Sequence, residues 1–151
     1  MSNRITISPA TEVDLTSIKL LLSELIEAMT DTEGFDIEQA VNNCRDLMKD
    51  KCHCLLVARD ENVVLGFINF TIRRTIMHPA PSALIDELVV ARQSRGTGIG
   101  RLLVDKVIEK CKEMGCCELE VSTEKTNRTA RRFYKNCGFE EDAVLLEMDL
   151  V

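Results

Sequence analysis

Hydrophobic positions recur along the chain with two different spacings, which predict helices and strands in alternation. Apolar residues three and four positions apart fall in four segments, and this spacing predicts four amphipathic helices. The first follows a capping-box-like sequence at residues 11–14, the second is capped by Asp36, and the fourth begins near Asn127. The third runs from about Gly98 to Met114, and its predicted buried face comprises Leu102, Leu103, Val107, Ile108 and Cys111.

Short runs rich in β-branched and other apolar residues separate the helices and predict strands. They cover residues 3–8, 53–59, 63–74, 84–90, 118–122 and 144–150. Residues 60–62 between the second and third runs predict a β-hairpin, and Gly66 with Phe67 predicts a bulge. The element order predicts one α/β (α+β) domain over residues 1–151, with a mixed, mostly antiparallel sheet flanked by about four helices.

Composition narrows the class of protein. The chain has 151 residues, 45% hydrophobic and 29% charged, as is typical of one globular domain. No apolar run approaches the roughly 18 residues of a membrane span, and residues 1–7 do not resemble a secretory signal. The net charge of −6 argues against nucleic acid as a partner, because phosphate binding requires clustered Lys and Arg. We therefore predict a cytoplasmic protein with neither a membrane nor a nucleic-acid partner.

The seven cysteines predict neither disulfides nor a metal site. Their number is odd, and no two of them form a Cys-x-x-Cys pair. We interpret them as reduced thiols, and we expect no bound metal. A redox role for the adjacent Cys116 and Cys117 is the alternative.

A glycine-rich turn follows the apolar run at residues 84–90. It reads Arg95-Gly96-Thr97-Gly98-Ile99-Gly100 and leads directly into the third predicted helix. The first turn of a helix has unpaired N–H groups and a partial positive charge, and glycines allow a phosphate to approach that backbone closely. A dinucleotide fingerprint would require glycine where Arg101 stands, and the chain has no nucleotide-triphosphate loop. The turn therefore predicts a site for another phosphate-bearing ligand.

Two separate motifs resemble those of one family. The pattern Arg95-x-x-Gly98-x-Gly100 resembles the acetyl-CoA pyrophosphate loop of the GNAT superfamily of N-acetyltransferases. About thirty residues later, Asn127, Ala130, Phe133-Tyr134 and Gly138-Phe139 are similar to the second signature of that superfamily. The predicted element order also matches the GNAT fold over nearly the whole chain.

The resemblance implies an acetyl-CoA site built from these motifs. The backbone of Leu88, Val89 and Val90 would pair with the pantetheine arm, and residues 95–100 would hold the pyrophosphate. Asn127 would cap its helix, bind the CoA arm, or do both. The residues implied to bind the donor are Leu88, Val89, Val90, Arg95, Gly96, Thr97, Gly98, Ile99, Gly100, Asn127 and Tyr134.

Acetyl transfer to an amine also needs an acid and a base. Tyr134 is the candidate acid, because a phenol with a pKa of about 10 is protonated at neutral pH and can donate its proton to a departing thiolate. Asp86, Glu87 and water are the candidate bases, and we prefer Glu87. Because neighbouring strand residues face opposite sides, we expect only one of the two carboxylates to reach the acceptor cleft.

The acceptor remains open at the level of sequence. A small-molecule primary amine is favoured over a protein, since Ser122 stands where some peptide N-terminal acetyltransferases of this superfamily have glutamate. Arg73, Arg74 and His78 form either an ordinary basic surface or a site for an anionic group on the amine, as in aminoalkylphosphonate acetyltransferases. An acyl-CoA-binding regulatory module without turnover is the alternative function. A homodimer is compatible with the sequence.

Overall fold

A computed structural model describes residues 4–29 and 31–151. Five strands and four helices alternate along the chain, with short 3₁₀ turns before the first and third helices. The elements are β1 (Ile5–Pro9), α1 (Leu15–Ala28), α2 (Ile37–Lys49), β2 (His53–Asp60), β3 (Val63–Arg73), β4 (Ser82–Val90), α3 (Ile99–Glu113), β5 (Glu118–Val121) and α4 (Arg128–Asn136).

The five strands form one sheet in the order β1-β2-β3-β4-β5. Each neighbouring pair is antiparallel except β4 and β5, which are parallel and joined through α3. The predicted mixed, mostly antiparallel sheet with four helices is therefore confirmed. The predicted first strand included Asn3, which lies outside the described residues.

Each face of the sheet has its own hydrophobic core. On one face, α1 and α2 cover Leu55, Val57, Phe67 and Val89. We call this the α1/α2 face. On the other, α3 and α4 cover a second set, which comprises Leu56, Ala58, Ile68, Phe70, Ala83 and Ile85. We call this the α3/α4 face.

Helix α3 packs on the sheet with a slightly different face from the one predicted. Leu103, Val104 and Val107 are fully buried, whereas Leu102 is 43% exposed. One residue corresponds to about 100° around a helix, so placing Val104 over the sheet turns Leu102 toward solvent. The predicted burial of Leu102 is wrong, and Val104 takes its place.

Local side-chain bonds explain where the first two helices begin. The Asp36 carboxylate accepts hydrogen bonds from the N–H groups of Glu38 at 2.9 Å and Gln39 at 3.2 Å, which caps α2. The buried Asp14 carboxylate accepts from the Thr11 N–H at 2.8 Å and pairs with Arg59 at 3.1 Å. Both predicted helix starts are therefore confirmed.

The hairpin of β2 and β3 carries a bulge next to its turn. Ala58 pairs with Gly66 and Arg59 with Val64, so Leu65 is the extra residue, directly beside the predicted position. A Cβ on Gly66 would lie 2.8 Å from the carbonyl oxygen of Val89. The absence of a side chain there lets β3 approach β4 closely.

The predicted last strand does not form. Residues 139–151 have neither helix nor strand structure. Val144, Leu146, Met148 and Leu150 are each more than 80% exposed. The sequence has the alternation of a strand, but among residues 4–29 and 31–151 the segment forms no ladder with a neighbouring strand, and β5 pairs there with β4 alone.

None of the helices in the described part of the chain combines the length and the hydrophobicity that a membrane span requires.

Candidate active site

The sheet opens between β4 and β5. The parallel ladder joins residues 82–85 of β4 to residues 118–121 of β5 and ends at the pair Ile85–Val121. Beyond that pair, β4 continues to Val90 with β3 as its sole strand partner among the described residues. The backbone of Leu88, Val89 and Val90 therefore presents an edge on the β5 side, and an extended ligand can pair with such an edge as an added strand.

A β-bulge lies where this opening begins. Asn69 of β3 pairs with Glu87, and Phe70 pairs with Ile85, so Asp86 is the extra residue. The bulge turns Asp86 and Glu87 to the same face instead of opposite faces. The expectation that Asp86 and Glu87 face opposite sides of the sheet is therefore wrong, because it assumed an uninterrupted pleat.

A row of polar side chains holds the two carboxylates on the α1/α2 face. The Asn69 amide donates to Glu87 Oε2 at 2.8 Å. The Thr71 hydroxyl donates to the Asp86 carboxylate. Since that hydroxyl has one proton, it accepts from His53 Nδ1, 3.2 Å away.

The surroundings of Glu87 favour its neutral form. Burial, which is the largest effect, and the Asp86 charge raise the pKa of this carboxyl group. The Asn69 hydrogen bond and His53 lower it. The net result is a pKa above the ordinary value. The Glu87 charge in turn helps burial raise the pKa of the Cys44 thiol on α2. Glu87 thus gains or loses its proton nearer to neutral pH than an ordinary glutamate does.

The glycine-rich loop leaves the start of α3 without a cap. Gly96 and Gly98 have φ values of +74° and +92°, in the left-handed region that glycine tolerates best. Gly98 is the N-cap residue of α3, and no side chain of the residues that the structure describes makes a capping hydrogen bond there. The helix therefore presents the N–H groups of its first turn. The positive end of the dipole of this 15-residue helix lies at the same place.

Arg95 and Thr97 fix the shape of this loop. The Arg95 guanidinium donates from Nε to the carbonyl oxygen of Val90, 3.3 Å away. The Thr97 hydroxyl donates to the carbonyl oxygen of Ser94. The first of these bonds ties the loop to the end of β4. The predicted phosphate loop and the predicted pantetheine edge are therefore neighbours.

Helix α4 packs directly against the start of α3. Asn127 caps α4, with its side-chain oxygen accepting from the Ala130 N–H at 3.0 Å. A Cβ on Gly100 would lie 3.3 Å from the Phe133 ring, so this glycine permits the contact. Because the Asn127 oxygen is used in the cap, the amide NH₂ is the part of the side chain suited to bind a ligand.

Tyr134 lies on the α3/α4 face, on the opposite side of the sheet from Glu87. Its ring packs edge-on against Phe133 and Phe139, with centroids 5.1 and 5.6 Å away. Burial, with a smaller contribution from Cys137, raises the pKa of Tyr134 to about 12. The phenol therefore stays protonated at every physiological pH.

Two groups of residues around this site were not predicted from the sequence. The first is the row on β2 and β3, whose signal is the polar pair Asn69 and Thr71 at alternate positions of an otherwise apolar strand. The second is a groove of about 290 Å³ on α4, which shares Phe133 with the contact to Gly100. Its signal is the pair Arg128 and Arg132, one helical turn apart and directly after Asn127. The groove is lined by Arg128, Thr129, Arg132, Phe133 and Asn136.

The basic residues near the acceptor side are largely compensated. Arg73 pairs with Glu120 at 2.9 Å, and His78 Nε2 lies 3.1 Å from the Glu118 carboxylate. Two of the three predicted anion-binding side chains thus contact carboxylates of β5.

All seven cysteines are free thiols. Across residues 4–29 and 31–151, no three His, Cys, Asp or Glu side chains are grouped to hold a metal ion.

Comparison with known proteins agrees with this geometry. The sequence profile of the acetyltransferase (GNAT) family matches residues 19–139. An aminoalkylphosphonate N-acetyltransferase of Salmonella typhimurium is 31% identical over 132 residues, which are 87% of this chain and 82% of the relative. A crystal structure described as a Bacillus halodurans transcriptional regulator is 29% identical and superposes with a TM-score of 0.83, covering 97% of this chain and 100% of that one.

A more distant structure shows the same fold. The aminoglycoside N-acetyltransferase AAC(6')-Iy, solved in complex with CoA, is 17% identical and has a TM-score of 0.84. The superposition covers 100% of this chain and 98% of that one. The fold, the family profile and the Salmonella relative all agree with the two sequence motifs. The chain therefore belongs to the acetyltransferase (GNAT) family, and it is an N-acetyltransferase whose cosubstrate is acetyl-CoA.

Proposed function

We propose that the protein transfers the acetyl group of acetyl-CoA directly to the primary amine of a small molecule, with Glu87 as the base and Tyr134, the candidate acid, as the hydrogen-bond donor to the leaving thiolate. The observation that carries this proposal is the order of features along β4. The strand presents Glu87 at its bulge, an unpaired edge at residues 88–90, and then the uncapped start of α3. A thioester lying along that edge would have its phosphates at the helix and its acetyl group beside the carboxylate.

The donor would be held mostly by backbone groups. The edge of Leu88, Val89 and Val90 offers hydrogen bonds to the amides of the pantetheine arm. The first-turn N–H groups of α3 bind the pyrophosphate, with Arg95 at the mouth of the loop. The Asn127 amide and the Arg128 side chain extend the site along α4. An N–H of β4 near Val90 is suited to bind the thioester oxygen as negative charge builds on it.

Glu87 would prepare the amine for attack. An alkylamine has a pKa of about 10.4 and is mostly protonated at neutral pH, so it must lose a proton before it can form the new C–N bond. An ionised Glu87 accepts that proton directly or through one water. The raised pKa of Glu87 improves this role, because a stronger base holds the proton better.

Tyr134 would stabilise the thiolate when the C–S bond breaks. A phenol with a pKa of about 12 donates a hydrogen bond at any working pH. Complete transfer of its proton to a thiolate with a pKa of about 8.5 would be uphill by about 5 kcal/mol. Hydrogen bonding to the sulfur therefore supplies the stabilisation. The thiolate takes up the second proton that the nitrogen loses when the amide forms, either directly or through solvent.

The donor loop gives a test of the phosphate site. In Gly98→Ala, the new Cβ lies in open space in front of the α3 start, where we place the pyrophosphate. We expect acetyl-CoA affinity to fall by about ten- to a hundred-fold, as lost hydrogen bonds to a charged group predict. Calorimetric titration measures this affinity.

Gly115→Ala is the matched control for that variant. Gly115 also has a positive φ, of +73°, and open space at its Cβ, but it follows the other end of α3. At the α-helical rise of about 1.5 Å per residue, Gly115 lies about 25 Å from Gly98 along the helix axis. Both variants carry similar backbone strain, so an equal loss of affinity in both would contradict the phosphate site.

The Asn69 hydrogen bond gives a test of the base. Asn69→Leu keeps the approximate side-chain size and removes the bond that lowers the pKa of Glu87. Without that bond the charged form of Glu87 loses a stabilising partner, so we expect the acidic limb of the pH–rate profile to move to higher pH. The plateau rate should change much less. If the acidic limb stays in place, the group that titrates in the pH–rate profile is not the carboxylate that Asn69 binds.

The decisive experiment for the proposed activity is CoA-thiol release with a panel of amines. Each acceptor skeleton is supplied with and without a phosphonate or carboxylate, since the Salmonella relative is named for aminoalkylphosphonates. The pairing of Arg73 and His78 with β5 carboxylates favours acceptors without the anionic group. Tight acetyl-CoA binding without release for any amine would support an acyl-CoA-binding regulatory module instead.

A further inference from the structure

We propose that Cys111 and Cys116 are a redox-active thiol pair, which hydrogen peroxide converts to a reversible intrachain disulfide across the end of α3. The pair lies outside the proposed acetyl-transfer site, at the opposite end of α3 from the glycine-rich loop. The proposal combines three observations: a helix cap that joins the two backbones, a hydrogen bond between the two side chains, and a difference in burial between the two thiols.

The cap at the end of α3 brings Cys111 and Cys116 together. The Cys116 N–H donates to the Cys111 carbonyl oxygen at 2.9 Å. The Gly115 N–H donates to the Lys112 carbonyl oxygen at 3.1 Å, and Gly115 has a φ of +73°. These features form a Schellman motif, in which the side chains at the two ends of the longer bond commonly pack against each other. In this chain both of those side chains are thiols.

The two thiols contact each other within one core. Cys111 and Cys116 both pack in the hydrophobic cluster of the α3/α4 face. Burial raises the pKa of the Cys111 thiol to about 12, with further contributions from the charge of Cys116, a hydrogen bond to Cys116 and the charge of Cys54. The hydrogen bond makes the two sulfur atoms neighbours, as a disulfide requires.

The other two thiols of this region are less well placed. Cys117 turns away from the core, and its thiol donates to the Ala80 carbonyl oxygen at 3.4 Å. Cys54 on β2 acts on Cys111 through its charge, whereas Cys116 acts through both its charge and a hydrogen bond. We therefore assign the pair to Cys111 and Cys116.

The difference in burial gives each thiol its own step. Cys116 is half-buried, whereas Cys111 is 5% exposed, so peroxide reaches Cys116 first. The Cys116 sulfur attacks one oxygen of the peroxide, and the O–O bond breaks. The departing hydroxide takes the thiol proton and leaves as water, and Cys116 becomes a sulfenic acid.

Cys111 then completes the disulfide. Its sulfur attacks the sulfenic sulfur of Cys116, the S–S bond forms and the S–O bond breaks, and the hydroxide leaves as water with the Cys111 proton. A thiol with a raised pKa is a poor nucleophile in free solution, but the contact between the two sulfurs makes this step intramolecular. The two thiols together lose two electrons, and one peroxide is reduced to two waters. A dithiol reductant reverses the reaction by exchange.

Mass spectrometry of the full chain tests this inference. The reduced protein is treated with hydrogen peroxide, its remaining thiols are alkylated, and it is digested with trypsin without reduction. Cleavage after Lys112 separates Cys111 from Cys116, so their disulfide joins the tryptic peptides 111–112 and 113–125. We expect this linked species in the wild type, and we expect dithiothreitol to remove it.

Cys117→Ser is the matched control, because Cys117 is adjacent to Cys116 and lies in the same tryptic peptide. This variant and Cys54→Ser should keep the linked species. Cys116→Ser should lose it, and so should Cys116→Ala, which suits an apolar core better. Circular dichroism checks that each variant is folded before the treatment.

Three results would each overturn the proposal. The first is a wild type whose Cys111 and Cys116 remain alkylatable thiols after peroxide treatment. The second is a linked species that survives in Cys116→Ser or is lost in Cys117→Ser. The third is a disulfide that joins Cys111 to Cys54. None of these results depends on acetyl transfer.

Discussion

Tyr134→Phe should lower turnover by roughly a hundred- to a thousand-fold while acetyl-CoA affinity stays nearly unchanged. The substitution keeps the ring that packs between Phe133 and Phe139 and removes only the hydroxyl. Loss of one donor to a developing negative charge costs about that factor in turnover. Affinity should hold because the backbone edge and the phosphate loop, which bind the donor, are untouched.

The pH dependence of this variant should be distinctive. Since the pKa of Tyr134 is about 12, the phenol does not titrate in the range where the enzyme is assayed. The pH–rate profiles of wild type and Tyr134→Phe should therefore run parallel, displaced by the same factor at each pH. Burst kinetics or a solvent isotope effect must first show that chemistry limits the rate. Wild-type turnover under those conditions would remove Tyr134 from the mechanism.

Local sequence patterns were sufficient for most of the elements because local forces determine them. Asp36 begins α2 by binding N–H groups two and three residues away, and Gly98 adopts a backbone conformation that few other residues tolerate. The hairpin between β2 and β3 likewise depends on neighbouring residues. Such features can be predicted from a short window of sequence.

The features that were not predicted depend on partners distant in the chain. The bulge that turns both Asp86 and Glu87 to the α1/α2 face arises from the register between β3 and β4. Val104 replaces Leu102 in the core because of the way α3 lies on the sheet. Residues 144–150 have the alternation of a strand, yet alternation alone does not supply a neighbouring strand. In each case the prediction would have required the three-dimensional position of residues that are distant in the chain.

The chemistry of the acceptor side was predicted only in part for the same reason. Arg73, Arg74 and His78 form a basic cluster in the sequence, but β5 brings Glu118 and Glu120 beside two of them. Asn69 belongs to no sequence motif, and its role follows from its hydrogen bond to Glu87. Charges and hydrogen bonds between strands therefore decide how the residues singled out by sequence can act.

Glu87→Gln should abolish the acidic limb of the pH–rate profile and lower the rate on its neutral plateau by roughly a hundred-fold or more, as loss of a general base predicts. The sign follows from the ionised form being the active one. In the wild type, activity rises as the pH passes the raised pKa of Glu87, so the limb lies above the range of an ordinary glutamate. Glutamine cannot titrate, and at nearly the same volume it still accepts the Asn69 hydrogen bond.

Asp86→Asn is the matched control, because it neutralises the neighbouring carboxylate in the same bulge. The Asp86 charge raises the pKa of Glu87, so its removal should move the acidic limb to lower pH and leave the plateau largely intact. Asn69→Leu should move the same limb in the opposite direction. Initial rates across pH at saturating acetyl-CoA and amine distinguish the three variants. If Asp86→Asn removes the limb and Glu87→Gln preserves it, Asp86 is the base and Glu87 is not.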